Sequence, residues 1–142
     1  MPTSKAGFTI IETTVVLTVI AILSAIVLPK ASGFIDAIEV RGAVTEAEAL
    51  FSTARHIAIA RGAQSTLEVD AGRGVISLRV GADTLQQREL GEAHGVALRT
   101  TRPSITYSPT GVGYGAANLT LTVTRKLAAD TIYVSRLGRV RH

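Results

Sequence analysis

Glu12 is a lone carboxylate inside an apolar run that extends from Phe8 to Leu28. About twenty apolar residues suffice to cross a hydrocarbon core of roughly 30 Å. A charge in such a segment is costly, so it reads as functional and calls for a cationic partner. The chemistry is therefore an ion pair in low dielectric rather than catalysis. Ahead of the run, a short leader with one cation, Lys5, ends at Ala6-Gly7. A secretory signal peptide would carry its small-residue cleavage site after a shorter apolar core. Here the small residue comes first, so removing the leader leaves the apolar helix on the mature chain.

A second group of side chains could do chemistry at the other end. From residue 125 onward stand Arg125, Lys126, Arg136, Arg139, Arg141 and His142, against a single acid, Asp130. On an extended strand Arg139 and Arg141 project from one face, about 7 Å apart. That separation suits successive phosphates of one DNA strand. The plainer alternative is a solvated terminal strand. The whole chain has a formal charge of +4, part of it Lys5. Such a balance fits anionic partners or, more often, simple solubility.

Other chemistry is poorly served. His56, His94 and His142 are scattered without metal-ligand spacing, so no metal is expected. The chain has no cysteine, which rules out disulfides, thiol catalysis and Cys-based zinc sites. Tryptophan is absent and aromatics are few, a poor basis for stacking single-stranded nucleic acid. No nucleophile elbow accompanies the serines. The glycine-rich stretches Gly72-Arg73-Gly74 and Gly111–Gly115 read as turns, since neither opens a helix after a strand. Neither an enzyme nor a cofactor is expected.

The elements that must position these groups follow from periodicity. Ile35, Ile38, Val44, Ala47, Leu50, Phe51, Ala54, Ile57 and Ala58 recur mostly at three and four, one apolar face of a helix. Gly62 after Arg61 supplies a C-terminal stop. One helix of roughly 80 Å from Phe8 to Arg61 is predicted, at 1.5 Å per residue. Pro29 stands at the end of its apolar half. Beyond Gly62 the period becomes two. Residues 66–69, 75–80, 105–107, 118–124 and 131–135 alternate as strands, and Asp70–Gly74 has hairpin-turn chemistry. The prediction is six to eight short antiparallel strands.

Gly7-Phe8-Thr9-Ile10-Ile11-Glu12 resembles the class III signal of type IV pilins and type II secretion pseudopilins. Ala54-Arg55 with Ala58, Ile59 and Arg61-Gly62 resembles the GspH/FimT group within it. So do Ile105-Thr106-Tyr107 with Pro109 and Gly111, Ile132–Ser135, and the ending Gly138-Arg139-Val140-Arg141. The resemblance implies an α+β pilin-like fold, with a long N-terminal helix packed on antiparallel sheet. It divides the chain into a leader (1–7), a transmembrane half-helix (8–29) and a periplasmic domain (30–142). It implies cleavage between Gly7 and Phe8 by a prepilin peptidase, N-methylation of Phe8, and pairing of Glu12 with a neighbouring subunit's amine. The protein would sit in the inner membrane with its domain in the periplasm and assemble with other pilin subunits.

Two functions are open: a minor pseudopilin of type II secretion, or a FimT-like minor pilin that binds duplex DNA for natural transformation. Gly-Arg-x-Arg resembles the DNA-binding ending of the latter, but many secretion-type relatives end in a similar Gly-Arg. One open basic patch uniting Arg139 and Arg141 with Arg125, Lys126 and Arg136 would favour DNA uptake. Interruption by acids such as Glu89 or Glu92 would favour secretion.

The processing expectation is directly testable. Mass spectrometry of the mature protein should find an N-terminus at Phe8 carrying one added methyl. Gly7→Arg should leave the leader attached. A mature N-terminus after Ala25 or later would refute a prepilin-type signal.

Overall fold

A computed structural model describes residues 9–115 and 118–141, except for the side chains of residues 29–31. Gly7, Phe8 and His142 lie outside the described residues. The chain divides into two compact units after Phe34.

Helix α1 spans Ile10–Arg61. Its start is a side-chain cap. Thr9 Oγ1 accepts the Glu12 amide at 3.2 Å, which places Glu12 at the third helical position of a Thr-x-x-Glu capping pattern. The apolar stretch tolerates its threonines because each hydroxyl closes back on the helix. Thr13, Thr14 and Thr18 donate to the carbonyls of Thr9, Ile10 and Thr14 at 3.2, 2.8 and 2.8 Å. Internal satisfaction of polar groups is what a lipid-facing helix requires. No residue of the most apolar window of this stretch is buried.

In the second unit the buried face of α1 is Val40, Ala43, Val44, Ala47, Leu50, Phe51, Ala54 and Ala58. Spacings of three and four are retained, but the predicted face is corrected at its start. Ile35 and Ile38 are exposed, and Asp36 is buried in their place at 5 % exposure. The cause is electrostatic. Arg125 and Lys126 both reach Asp36, at 2.9 and 3.3 Å. With Asp36 facing inward, positions 40, 43, 44 and 47 follow it inward on the helical period.

Among the described residues eight strands follow α1, interrupted by the short α2 (Leu90–His94). They are β1 (Ser65–Asp70), β2 (Val75–Val80), β3 (Asp83–Glu89), β4 (Ala97–Thr100), β5 (Ser104–Tyr107), β6 (Leu119–Arg125), β7 (Ala128–Val134) and β8 (Val140–Arg141). They form two antiparallel sheets, ordered β3-β2-β1-β5 and β4-β6-β7-β8. Strands β3 and β4 and helix α2 escaped the sequence reading. β3 is exposed at nearly every position and so shows no two-residue alternation. The clearest alternation held: Leu119, Leu121 and Val123 are buried, and the threonines between them face outward. Both sheets and α1 feed one core that includes Leu67, Ile76, Leu78, Tyr107, Leu121 and Ile132.

Leu50 is 3 % exposed at the centre of the helix face. Leu50→Asp in the domain beginning near Ser32 should lose several kcal/mol, because it buries an unpaired charge. Circular dichroism would show the loss as unfolding or a much lower urea midpoint. A fully folded variant would mean the face is misassigned.

Candidate functional site

The five basic residues do not form one patch. Strands β6 and β7 pair from Leu119↔Val134 at one end to Arg125↔Ala128 at the other. Seven residues of strand separate the two ends by about 20 Å. Arg125 and Lys126 occupy the far turn and are engaged by Asp36. Arg125 also donates from Nη1 to the carbonyl of His94. Arg136, Arg139 and Arg141 stand at the opposite end, in and after the β7–β8 turn.

That turn is built tightly. Ser135 N–H donates to the Arg139 carbonyl at 2.9 Å, and Gly138 N–H to the Ser135 carbonyl at 2.8 Å. The Arg136 amide donates to Asn118 Oδ1 at 2.9 Å. Val134 pairs with Val140 and Tyr133 with Arg141. Val140 packs against the core, so period-two alternation turns Arg139 and Arg141 outward together, and both are exposed. The two arginines share a cleft of about 660 Å³ with Glu48, Ser52 and Arg55 of α1, Gly138 and Val140. Glu48, rather than Glu89 or Glu92, is the acid that lines the basic end.

Arg55 joins this end of the domain to the helix. Its Nε donates to the Gly111 carbonyl at 3.1 Å. A Cβ at Gly138 would stand 3.0 Å from Arg55 Cδ and 3.1 Å from the Gly111 carbonyl oxygen. Gly138 also has φ +71°, a conformation that favours glycine. Arg55, Gly111 and Gly138, far apart in sequence, are thus one packing unit. Tyr107 is fully buried. Burial pushes its hydroxyl up to about 12, with the Arg55 charge pulling the other way. Among the described residues the hydroxyl has no hydrogen-bond partner.

The residue that sequence reasoning undervalued is His94. Its Nδ1 lies 2.8 Å from Glu39 Oε2 and its Nε2 3.3 Å from Glu46 Oε1. The ring sits over Gly42, where a Cβ would approach Cε1 to 3.0 Å. The available signal was the string Glu39-x-x-Gly42-x-x-x-Glu46, two acids flanking a gap on one helix face. Its partner, forty-eight residues beyond Glu46, had no local signature. The Glu39 hydrogen bond raises the His94 pKa above 6.5, burial opposes this, and Glu46 adds to the rise. Both ring nitrogens can donate only as the imidazolium. His56 is exposed and near Ser52 Oγ at 3.5 Å. Among the described residues no His, Asp and Glu cluster could hold a metal.

A raised folded-state pKa fixes the sign of a pH dependence. The stabilisation from His94 is fully present below about pH 6.5 and is lost as pH rises through the higher folded value. Urea midpoints measured at about pH 6 and pH 9 should fall more for the wild-type domain than for His94→Gln. Equal falls would mean that the histidine pairings contribute nothing.

A model of the prokaryotic N-terminal methylation motif matches residues 2–28. The described portion that matches is the capped start of α1 and its apolar stretch. The type IV minor pilin FimU of Pseudomonas aeruginosa shares the fold, with a TM-score of 0.65 at 16 % identity over 76 % of this chain and 90 % of its own. The minor pseudopilin EpsH from the type II secretion system of Vibrio cholerae shares it with a TM-score of 0.60 at 14 % identity, over 74 % and 93 %. No curated protein sequence matches the chain. A pilin-like subunit, not an enzyme, is what the fold and the family describe. The model of the type II transport protein GspH matches residues 43–138, more than half of the sequence, and the chain belongs to that family.

Proposed function

We propose that this protein is a minor pseudopilin of a type II secretion system, a structural subunit of a periplasmic filament. The observation that carries the reading is the union of a methylation-type N-terminus with a GspH-family domain on one chain. In this reading a prepilin peptidase removes residues 1–7 and methylates Phe8. The apolar half of α1 holds the subunit in the inner membrane until assembly, with the domain in the periplasm. The split of the basic residues supports secretion over uptake, because Arg125 and Lys126 are committed to Asp36.

Glu12 is the assembly contact. It lies in the first turn of α1 and is exposed. There it complements the positive end of its own helix and offers a carboxylate to a neighbour's amine, a pairing that low dielectric strengthens. Glu12→Val should leave membrane insertion intact or improved. Crosslinking to the major subunit should fall about tenfold or more, the effect of losing roughly 1.4 kcal/mol. Undiminished crosslinking would mean that the carboxylate merely reaches the aqueous interface.

A second reading, DNA binding by a minor pilin, is favoured by one feature: Arg139 and Arg141 face outward from the same cleft. On that reading affinity for duplex DNA falls by about 0.9 log units per log unit of salt for each phosphate neutralised. Arg139→Ala with Arg141→Ala lowers that slope by about two and weakens all sequences alike. Arg79, paired with Glu68 at 3.1 Å on the other sheet, is the control. Anisotropy titrations at two salt concentrations decide it. An absence of wild-type binding at low salt leaves secretion alone.

A further inference from the structure

We propose that the outer edge of β8 takes up an extended acidic segment of a partner protein, which adds to the sheet as a further strand in the cleft beside α1. The inference rests on the secretion reading above, because it gives to a protein the arginines that the DNA reading gives to phosphates. Among the described residues β8 is the last strand in the order β4-β6-β7-β8 and pairs with β7 alone. Beside it lies the cleft of about 660 Å³ whose other wall includes Ser52 and Arg55 of α1. Addition of a strand to a sheet edge is a common mode of peptide recognition, with main-chain bonds giving affinity and alternate side chains giving specificity.

The backbone of β8 fixes which groups meet an added strand. Ser135 N–H donates to the Arg139 carbonyl at 2.9 Å, so that carbonyl points towards β7. Backbone groups alternate in direction along a strand, so the amide and carbonyl of Val140 point the opposite way. In an antiparallel partner, the residue opposite Val140 exchanges two main-chain hydrogen bonds with it. The residues on either side of that one oppose Arg139 and Arg141 at non-hydrogen-bonded positions, where side chains come closest. Both arginines are exposed. An acid opposite each, spaced Glu-x-Glu, makes two cross-strand pairs of opposite charge. Arg55 brings the cleft to three guanidiniums against one carboxylate, Glu48. Charge on a short edge strand ordinarily keeps other chains away. Here it refuses neutral and basic strands and admits an acidic one.

The occupant is a different protein rather than a second copy. This sequence spaces two acids in that way only at Glu46-Ala47-Glu48 and Glu68-Val69-Asp70. The first lies within α1, and the second within β1, which is held between β2 and β5. Neither string is available as an extended strand.

The probe is a fluorescein-labelled peptide, Thr-Val-Glu-Val-Glu-Val-Thr, titrated at low salt with the full-length protein in detergent micelles and read by anisotropy. Binding should weaken about tenfold or more when both glutamates are replaced by glutamine, because two charge-assisted contacts are lost. It should weaken severalfold when the valine between the glutamates is N-methylated, because the charges stay and one main-chain donor goes. Arg139→Ala with Arg141→Ala should lose as much as the glutamine peptide does, and Arg79→Ala should bind as the wild type does. Equal affinity for the N-methylated peptide overturns strand addition, since charge alone would account for binding. Undiminished binding by the double arginine variant overturns the site. If neither the peptide nor a labelled DNA duplex binds, the proposal is overturned while the secretion reading stands. If the duplex binds through the two arginines and the peptide does not bind, both are overturned.

Discussion

Asp36 is an acid with almost no solvent, and a charge taken out of water must be paired or it destabilises the fold by several kcal/mol. Two cations from the β6–β7 turn meet that requirement. In doing so they set the rotation of α1 in the domain. They bring Val40 and Ala43 inward, turn Ile35 and Ile38 outward, and remove Arg125 and Lys126 from any shared basic surface. The same guanidinium holds the His94 carbonyl, which delivers the imidazole to Glu39 and Glu46. One buried carboxylate thus organises one end of the domain.

The opposite end is organised by Arg55. Its Nε bridges the helix to the β5–β6 loop, and its stem packs on the β7–β8 turn; a glycine in each, Gly111 and Gly138, leaves room for it. Gly111 and Gly138, 27 residues apart in sequence, thus meet at one arginine side chain. A long arginine can do this because its stem packs while its head donates. The clamp also fixes the β7–β8 turn, and with it the outward pair Arg139 and Arg141. Whatever those arginines contact, they present from a backbone held by packing rather than from a loose terminus.

Between the two clamps the helix face is small and apolar, and both sheets close on it. Alanine at 43, 47, 54 and 58 permits close approach of the strands, while Leu50 and Phe51 fill the centre. The arrangement suits a subunit whose helix has two duties. Its first half presents apolar side chains all round and satisfies its own threonines, and its second half buries one stripe. The transition between them falls close to Asp36.

The sequence by itself determined the features that depend on local order. The apolar run with Glu12 inside it, the helix from its apolar half to Arg61, and the Leu119–Val123 alternation are all set by short-range spacing. So was family membership, through strings of adjacent residues. The tertiary structure decided what depends on distance in space. It placed the buried Asp36 opposite residues 125 and 126, and gave His94 its two glutamates. It split eight strands between two sheets and divided a basic cluster that looks continuous in sequence. Charges neighbouring along the chain separate when a strand carries them to opposite ends of a hairpin. Charges dozens of residues apart meet when desolvation makes pairing the lower-energy arrangement. Periodicity records which face is apolar, but it carries no record of which polar groups will find each other once that face is buried.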